Sequence, residues 1–204
     1  MVLDEPDRKR GFKKERIMRV LLSSSDNVTK YRIAKEANVS EPWCREYTSR
    51  LEEKGLLKDT QVLDHEGLYS EWEKAHIEAN SIEVSFQNIS ELLERTELEY
   101  ALTTYKAENL LQGFLFPSVI DFYIKEEDRE RWLDMVEKKG LIGGGGSRIR
   151  LTDEHVFYGL EKIQEFYVVS IPQLILDLRL EGGHCKEASM KMIDRYHRSE
   201  RNGI

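Results

Sequence analysis

Four consecutive glycines at 143–146, followed by Ser147 and Arg148, are the residues in this 204-residue chain whose spacing first suggests phosphate chemistry. A Walker loop needs a lysine and a hydroxyl residue after its last glycine and then a helix, because the lysine and the helix N-terminus hold the phosphates together. Here an arginine follows the serine and the alternating SRIRLT continues as a strand, so both requirements fail. A nucleotidyltransferase couples a Gly-Ser turn to two carboxylates one residue apart that hold divalent metals. Asp153 and Glu154 are adjacent instead, and neighbours on a strand point to opposite faces. They are expected to be turn residues. His184 beside Cys185 has the types of a base and a thiol nucleophile, but adjacency in sequence supplies no base geometry. His65 and His76 have no ligand-type residue three or four positions further on and are expected to pack or face solvent. The chain therefore calls for no catalytic residue, no metal and no cofactor. A nucleotidyltransferase-like enzyme fused to a DNA-binding domain stays open as the alternative.

The other chemistry on offer is phosphate and base recognition by Lys and Arg. The net charge of −7 hides an asymmetry: residues 1–60 hold 14 basic against 11 acidic residues, while the rest hold 17 against 27. A basic head on an acidic body suggests two jobs. Positioning those cations takes helices. Phe12, Ile17, Val20 and Leu21 recur at helical spacing over residues 7–23, the polar SSSDNV breaks the run, and Thr29 caps a short second helix with Ile33 and Ala34 inward. Asn38 and Val39 make a tight turn, and Ser40 is the expected cap of a third helix, EPWCREYTSRLEEK, with Pro42 in its first turn and Gly55 as its stop.

On that third helix Cys44, Thr48 and Leu51 form one inner stripe, so Trp43, Arg45, Glu46, Ser49 and Arg50 project from the other sides. LLKDTQVL then reads as a short extended stretch. Three helices, a tight turn before the third and a following extended segment spell a winged helix-turn-helix, and VSEPWCREYTSRLEEKGLL resembles the turn and recognition helix of that superfamily. Its third helix would enter the major groove of double-stranded DNA, with Arg45 and Arg50 on guanine, Ser49 on a base or phosphate, and Trp43 on a sugar or thymine methyl. Lys30, Arg32 and Lys35 would lie over phosphates. Ser40 and Glu46 complete the candidate surface, on which Glu46, Glu52 and Glu53 work against phosphate.

The remainder alternates elements. DHEGLYSEWEKAHIEAN (64–80) places Leu68, Trp72 and Ala75 on one face of a connecting helix. SIEVSF alternates like a strand, NISELLERTE and TTYKAENLLQG are compact helices, and a strand is expected from 118 to 124, after Pro117. EEDRERWLDMVEKK is a helix with Trp132, Met135 and Val136 buried and Gly140 as its end; SRIRLT, HVFYG and EFYVVS read as short strands. Ser170 is the expected cap of IPQLILDLRL, apolar almost all round. Gly182 and Gly183 break it before CKEASMKMIDRYHRS, with Ala188, Met192 and Tyr196 in line. The expected organisation is a winged helix-turn-helix at 1–63, a connecting helix at 64–80 and a mixed α+β domain at 81–204, an α+β chain overall. No run of about 18 apolar residues exists, so no membrane span is expected. The charged start lacks the apolar middle of a secretory signal, and Cys44 and Cys185 fit reduced thiols, both pointing to the cytoplasm.

YALTTYKAENLLQGFLFPSVIDFYI, GGGGSRIRL and YVVSIPQLILDLRLEGGHCKEASMKMI, taken together, look like the C-terminal domain of AbiEi-type antitoxins, the abortive-infection, type IV toxin–antitoxin family. The Pro-Trp of SEPWCRE and the LDHEGLYSEW connector are similar as well, so the resemblance covers residues 14–196 as dispersed short matches. It implies a DNA-binding repressor whose C-terminal domain counters a cognate nucleotidyltransferase-like toxin. Where that family often has a glycine-arginine-glycine run before its last helix, this chain has Gly182, Gly183 and His184, and no C-terminal site residue carries over. A homodimer would match a palindromic operator, although no coiled-coil segment is present to form it.

Overall fold

The apolar spacing of the first helix survives in three dimensions: α1 (Lys9–Ser23) buries Phe12, Ile17, Val20 and Leu21, with Met18 beside them. The computed structural model describes residues 3, 9–24 and 28–198, so the expected helix start at residue 7 and the centre of the SSSDNV break lie outside the described residues. Thr29 accepts the Arg32 amide at 3.2 Å and starts α2 (Lys30–Glu36). The turn that follows depends on Asn38 at φ +50°, a left-handed conformation that asparagine tolerates better than most residues. It leads into α3 (Glu41–Glu53). Ser40 stands at the cap position of α3, but its side chain makes no capping bond, a correction to its expected role. After Gly55 the chain forms a two-residue hairpin, β1 (Leu57–Lys58) and β2 (Gln61–Val62), around Asp59 at φ +56°.

Next, α4 (His65–Ala75) buries Leu68, Tyr69 and Trp72 and packs on α1 and α8 (Ile171–Glu181). Ala75 is only partly buried. The rest is built on a seven-stranded mixed sheet of β3 (Asn80–Phe86), β4 (Tyr100–Thr103), β5 (Ile120–Ile124), β6 (Gly140–Ile142), β7 (Ser147–Leu151), β8 (Glu161–Ile163) and β9 (Phe166–Val168). Its spatial order is β6-β3-β7-β5-β4-β9-β8. Helices α5 (Ile89–Arg95), α6 (Thr104–Leu111), α7 (Arg129–Lys139) and α9 (Gly183–Ile193) complete a mixed α+β fold. Phe122 faces Trp132 of α7 at a 5.2 Å ring separation, while Thr103 and Tyr123, on the opposite face, bond Asp177 of α8. Each face of the sheet is thus covered by a helix, and one hydrophobic core runs from Leu3 to Ile193 through both ends of the chain.

Three local readings change. HVFYG is not a strand: Asp153 caps a 3₁₀ turn at Glu154–Phe157 by accepting the His155 amide at 2.9 Å. Thr103, expected inside the helix TTYKAENLLQG, instead ends strand β4, whose four residues are all buried, and the helix begins at Thr104. Gly140 does end α7, but it also begins β6, and Ser170, like Ser40, makes no capping bond.

The glycine run now has a structural reason. β6 and β7 flank β3 on opposite sides, and Ile142 and Ser147 both stand opposite Val84. The run must therefore cross β3, a span of about 9.5 Å for two inter-strand spacings. It does so with Gly143, Gly144 and Gly145 at φ +90°, +80° and +52°, over the face that carries Glu83 and Ser85. A β-carbon at each of those three positions would be strained.

Candidate nucleic-acid interface

The outer surface of α2 and α3 is where the expected DNA-reading residues lie. Cys44, Thr48 and Leu51 point inward, joined by Tyr47, whose hydroxyl reaches Met18 Sδ at 3.5 Å. Burial holds the Cys44 thiol up at about 11, so it stays protonated and apolar. Opposite that stripe, Ser40, Arg45, Glu46, Ser49 and Arg50 are exposed, as are Arg32 and Lys35 on α2. Seven of the nine expected residues therefore share one accessible surface.

Lys30 and Trp43 differ from the rest. The Lys30 ammonium is 17% exposed and bonds Glu52 at 2.7 Å, with Asp59 at 3.5 Å, so it ties α2 to α3 and to the hairpin turn. Trp43 is half-buried and stacks on Tyr47 at 5.4 Å between ring centroids, which commits part of its indole to the head's own packing. The exposed arginines are paired along their own helices: Arg45 with Glu41 at 2.6 Å, Arg50 with Glu46 at 2.5 Å, and Arg32 with Glu36 at 2.5 Å. The two pairs on α3 are solvated and contribute only about 0.3–0.5 kcal/mol each, so a phosphate or guanine can replace the glutamate at little cost. Residues 30–54 hold six basic against five acidic side chains, so the surface is almost neutral until those glutamates are displaced or face away.

The helices are held at a fixed attitude by a polar seam that sequence reading missed. Arg19, 3% exposed on α1, donates two hydrogen bonds to Gln173 Oε1 of α8, at 2.8 and 2.6 Å, and one to His155 Nδ1 at 2.9 Å. Since a guanidinium only donates, His155 Nδ1 is the acceptor and its Nε2–H donates to the Glu36 carbonyl at the end of α2, at 2.9 Å. Burial, and then the Arg19 charge, push the His155 pKa down to about 4, so the ring is neutral at physiological pH. Tyr158 donates to the Glu36 carboxylate, and Arg16 Nε reaches both oxygens of Asp153 at 2.9 and 3.1 Å. On the far side of α1, Glu15 accepts from Trp72 Nε1, His76 and the Ile77 amide, each at 3.0 Å.

Asp153 is taken by Arg16 and by its own turn, and Cys185 is buried with its pKa raised by that burial, which disfavours a thiolate. His76 bonds Glu15, and His65 stacks on His197 at 4.5 Å. Among the described residues no cluster of three or more metal-type ligands forms. A buried charge network does form: Asp121, fully buried, accepts from Thr104 at 2.7 Å, from Arg148 at 2.8 and 2.6 Å, and from Arg150 at 2.8 Å. The alternation of SRIRL put Arg148 and Arg150 on one face, but nothing in the sequence pointed to Asp121 as their partner. No helix among the described residues is long and apolar enough to cross a membrane. Comparison with protein-family models, curated proteins and solved structures finds no match for this chain.

Proposed function

We propose that the chain is a DNA-binding transcriptional regulator, in which residues 1–63 act as a winged helix-turn-helix and the α+β body serves a protein partner. One observation carries the reading: α2 and α3 are joined by the Asn38 turn, with the stripe of Cys44, Thr48 and Leu51 inward and Ser40, Arg45, Ser49 and Arg50 exposed on the opposite side. In a major groove, Arg45 and Arg50 exchange their glutamates for guanine edges, and Arg32 and Lys35 lie against phosphates. In this reading the hairpin at residues 57–62 acts as the wing and follows the DNA backbone beside them.

The resemblance of the body to AbiEi-type antitoxins extends the proposal to a repressor whose body neutralises a nucleotidyltransferase-like toxin. The double occupation of Asp153 and the buried thiol of Cys185 favour this over an enzyme.

The test is selection of duplexes from a random library, followed by fluorescence anisotropy on the enriched site. With about three phosphates neutralised per head, affinity should fall about 40-fold between 50 and 200 mM salt. Failure to enrich any duplex, or a Kd indifferent to salt, would remove the DNA reading. Co-expression with a nucleotidyltransferase encoded beside this gene tests the partner separately; undiminished growth arrest would remove that half alone.

A further inference from the structure

A cavity of about 570 Å³ opens between the head and the body, walled by the end of α1, the β2 strand, the Tyr158–Gly159 turn, the start of α8 and the last described turn of the chain. The volume is in the range of small-molecule sites. Leu22, Val62 and Ile171 supply apolar surface, and four rings join them in the lining: His65, Tyr158, Tyr196 and His197. The Tyr158 hydroxyl is committed to the Glu36 carboxylate, and His155 stacks on one face of its ring at 5.0 Å between centroids. The opposite face and the edge of that ring are what remain for the cavity. Tyr196 and His197 lie on a π-helical turn, Asp194–Arg198. His197 stacks on His65 at 4.5 Å and its Nε2 pairs with the buried Tyr69 hydroxyl at 2.9 Å, which fixes this wall.

The charges decide which ligand those rings suit. Among the described lining residues Glu161 is the one carboxylate, and no lysine or arginine faces it. Its side chain is exposed, and the neighbouring Lys162 reaches Glu165 instead, at 3.4 Å. His197 is pushed down to about 4 by burial and then by His65, so it brings no opposing charge at neutral pH. Two positive neighbours weigh less. Arg195 sits over the Tyr196 ring at 5.3 Å without lining the cavity, and the start of α8 contributes only about half a charge. An aromatic face attracts a cation through its quadrupole, and a carboxylate beside it adds a full opposite charge. We infer that this cavity binds a small organic cation with a flat aromatic body, its charged ring lying against Tyr158 and Tyr196 and countered by Glu161. An acid would meet the Glu161 carboxylate, and an aliphatic polyamine would leave the apolar surface uncovered. Binding of this kind does not depend on the DNA reading above.

The probe is 1-methylquinolinium, with neutral 1-methyl-2-quinolone and anionic 2-naphthoate as controls of similar shape, titrated into the full chain without DNA by calorimetry and by NMR. The cation should bind saturably and shift the amides of Gly159 and Glu161 and the ring resonances of Tyr196. Its affinity should exceed that of the quinolone by about 5- to 30-fold, the range of one solvated ion pair with a cation–π contact. Glu161→Gln alters an exposed side chain and little but its charge; it should cut the cation's affinity about fivefold and leave the quinolone's unchanged. Tyr196→Leu keeps apolar bulk without the ring and should cut the cation's affinity by about 2- to 30-fold, and the quinolone's by less. Glu161→Gln decides the matter if Tyr196→Leu does not fold. No saturable binding, a quinolone as tight as the cation, a tighter naphthoate, or unchanged cation affinity in either folded variant would overturn the inference.

Discussion

Arginine and glutamate do opposite jobs on the outside of the head and in the seam beneath it. On α3 the Glu41–Arg45 and Glu46–Arg50 pairs follow the helix surface in open solvent, where each contributes a few tenths of a kcal/mol and can be exchanged for another partner. In the seam, Arg19 reaches from α1 across to Gln173 and His155, and Arg179 of α8 reaches across to Glu66, Glu73 and Ser70 of α4. Arg19, Gln173 and Arg179 are buried, so their hydrogen bonds are not simply exchanged for water even though Glu66 and Glu73 keep an edge in solvent, and these bonds help set how the head sits on the body. The comparison teaches that the surface which could read a ligand is kept exchangeable, and the geometry that presents it is kept fixed.

The largest effect is expected from the seam itself. Arg19→Met keeps the bulk over the Trp72 ring but strips donors from the buried Gln173 Oε1 and the part-buried His155 Nδ1. Leaving each unsatisfied costs about 1–3 kcal/mol, so unfolding in urea should show a loss of about 2–6 kcal/mol. A loss below about 1 kcal/mol would make the seam as dispensable as the surface pairs.

Next comes a pH dependence. His155 has an ordinary pKa of 6.5 when unfolded and about 4 when folded. Between those values the unfolded chain binds the extra proton, so the stability held above pH 6.5 is lost as pH falls toward 4, by about 3 kcal/mol in the limit. His155→Gln retains a donor and an acceptor but does not titrate. Its stability should therefore fall less steeply than that of the native chain over this window, as read by thermal unfolding at matched salt. Parallel curves would mean that His155 does not hold its seam position as a neutral ring.

Lys30 tests the middle ground, since its ammonium is mostly covered but still in reach of solvent. Lys30→Met keeps the stem and removes the tie between α2 and Glu52; a loss of about 1 kcal/mol is expected, between the seam and the open surface. A loss as large as that of Arg19→Met would move Lys30 into the structural class.

How much of this was legible depends on the range of the interaction. Local periodicity gave the inward stripe of Cys44, Thr48 and Leu51, the alternation of SRIRL and the α+β class, because each is decided within a few residues. The seam was not legible, since Arg19 and Gln173 are 154 positions apart and each reads alone as an ordinary polar residue on a helix. Strand β4 escaped because all four of its residues are buried and no alternation survives. The length of the glycine run is explained only by strand order, which puts β3 between its two ends.

The smallest expected change in stability is the most informative about function. Arg45→Ala and Arg50→Ala each break one exposed pair and should alter unfolding free energy by no more than about 0.5 kcal/mol. If the same side chains read guanine, each substitution weakens binding to the enriched duplex by about 1–3 kcal/mol and relaxes preference at one base pair, while Lys35→Ala weakens all duplexes alike. The ratio of the two effects is the point. A residue whose removal leaves the fold unchanged but costs tenfold or more in site affinity belongs to an exchangeable reading surface. If both variants bind the duplex as the native chain does, α3 is only a solvated helix, and the division between the outer face and the seam loses its functional meaning.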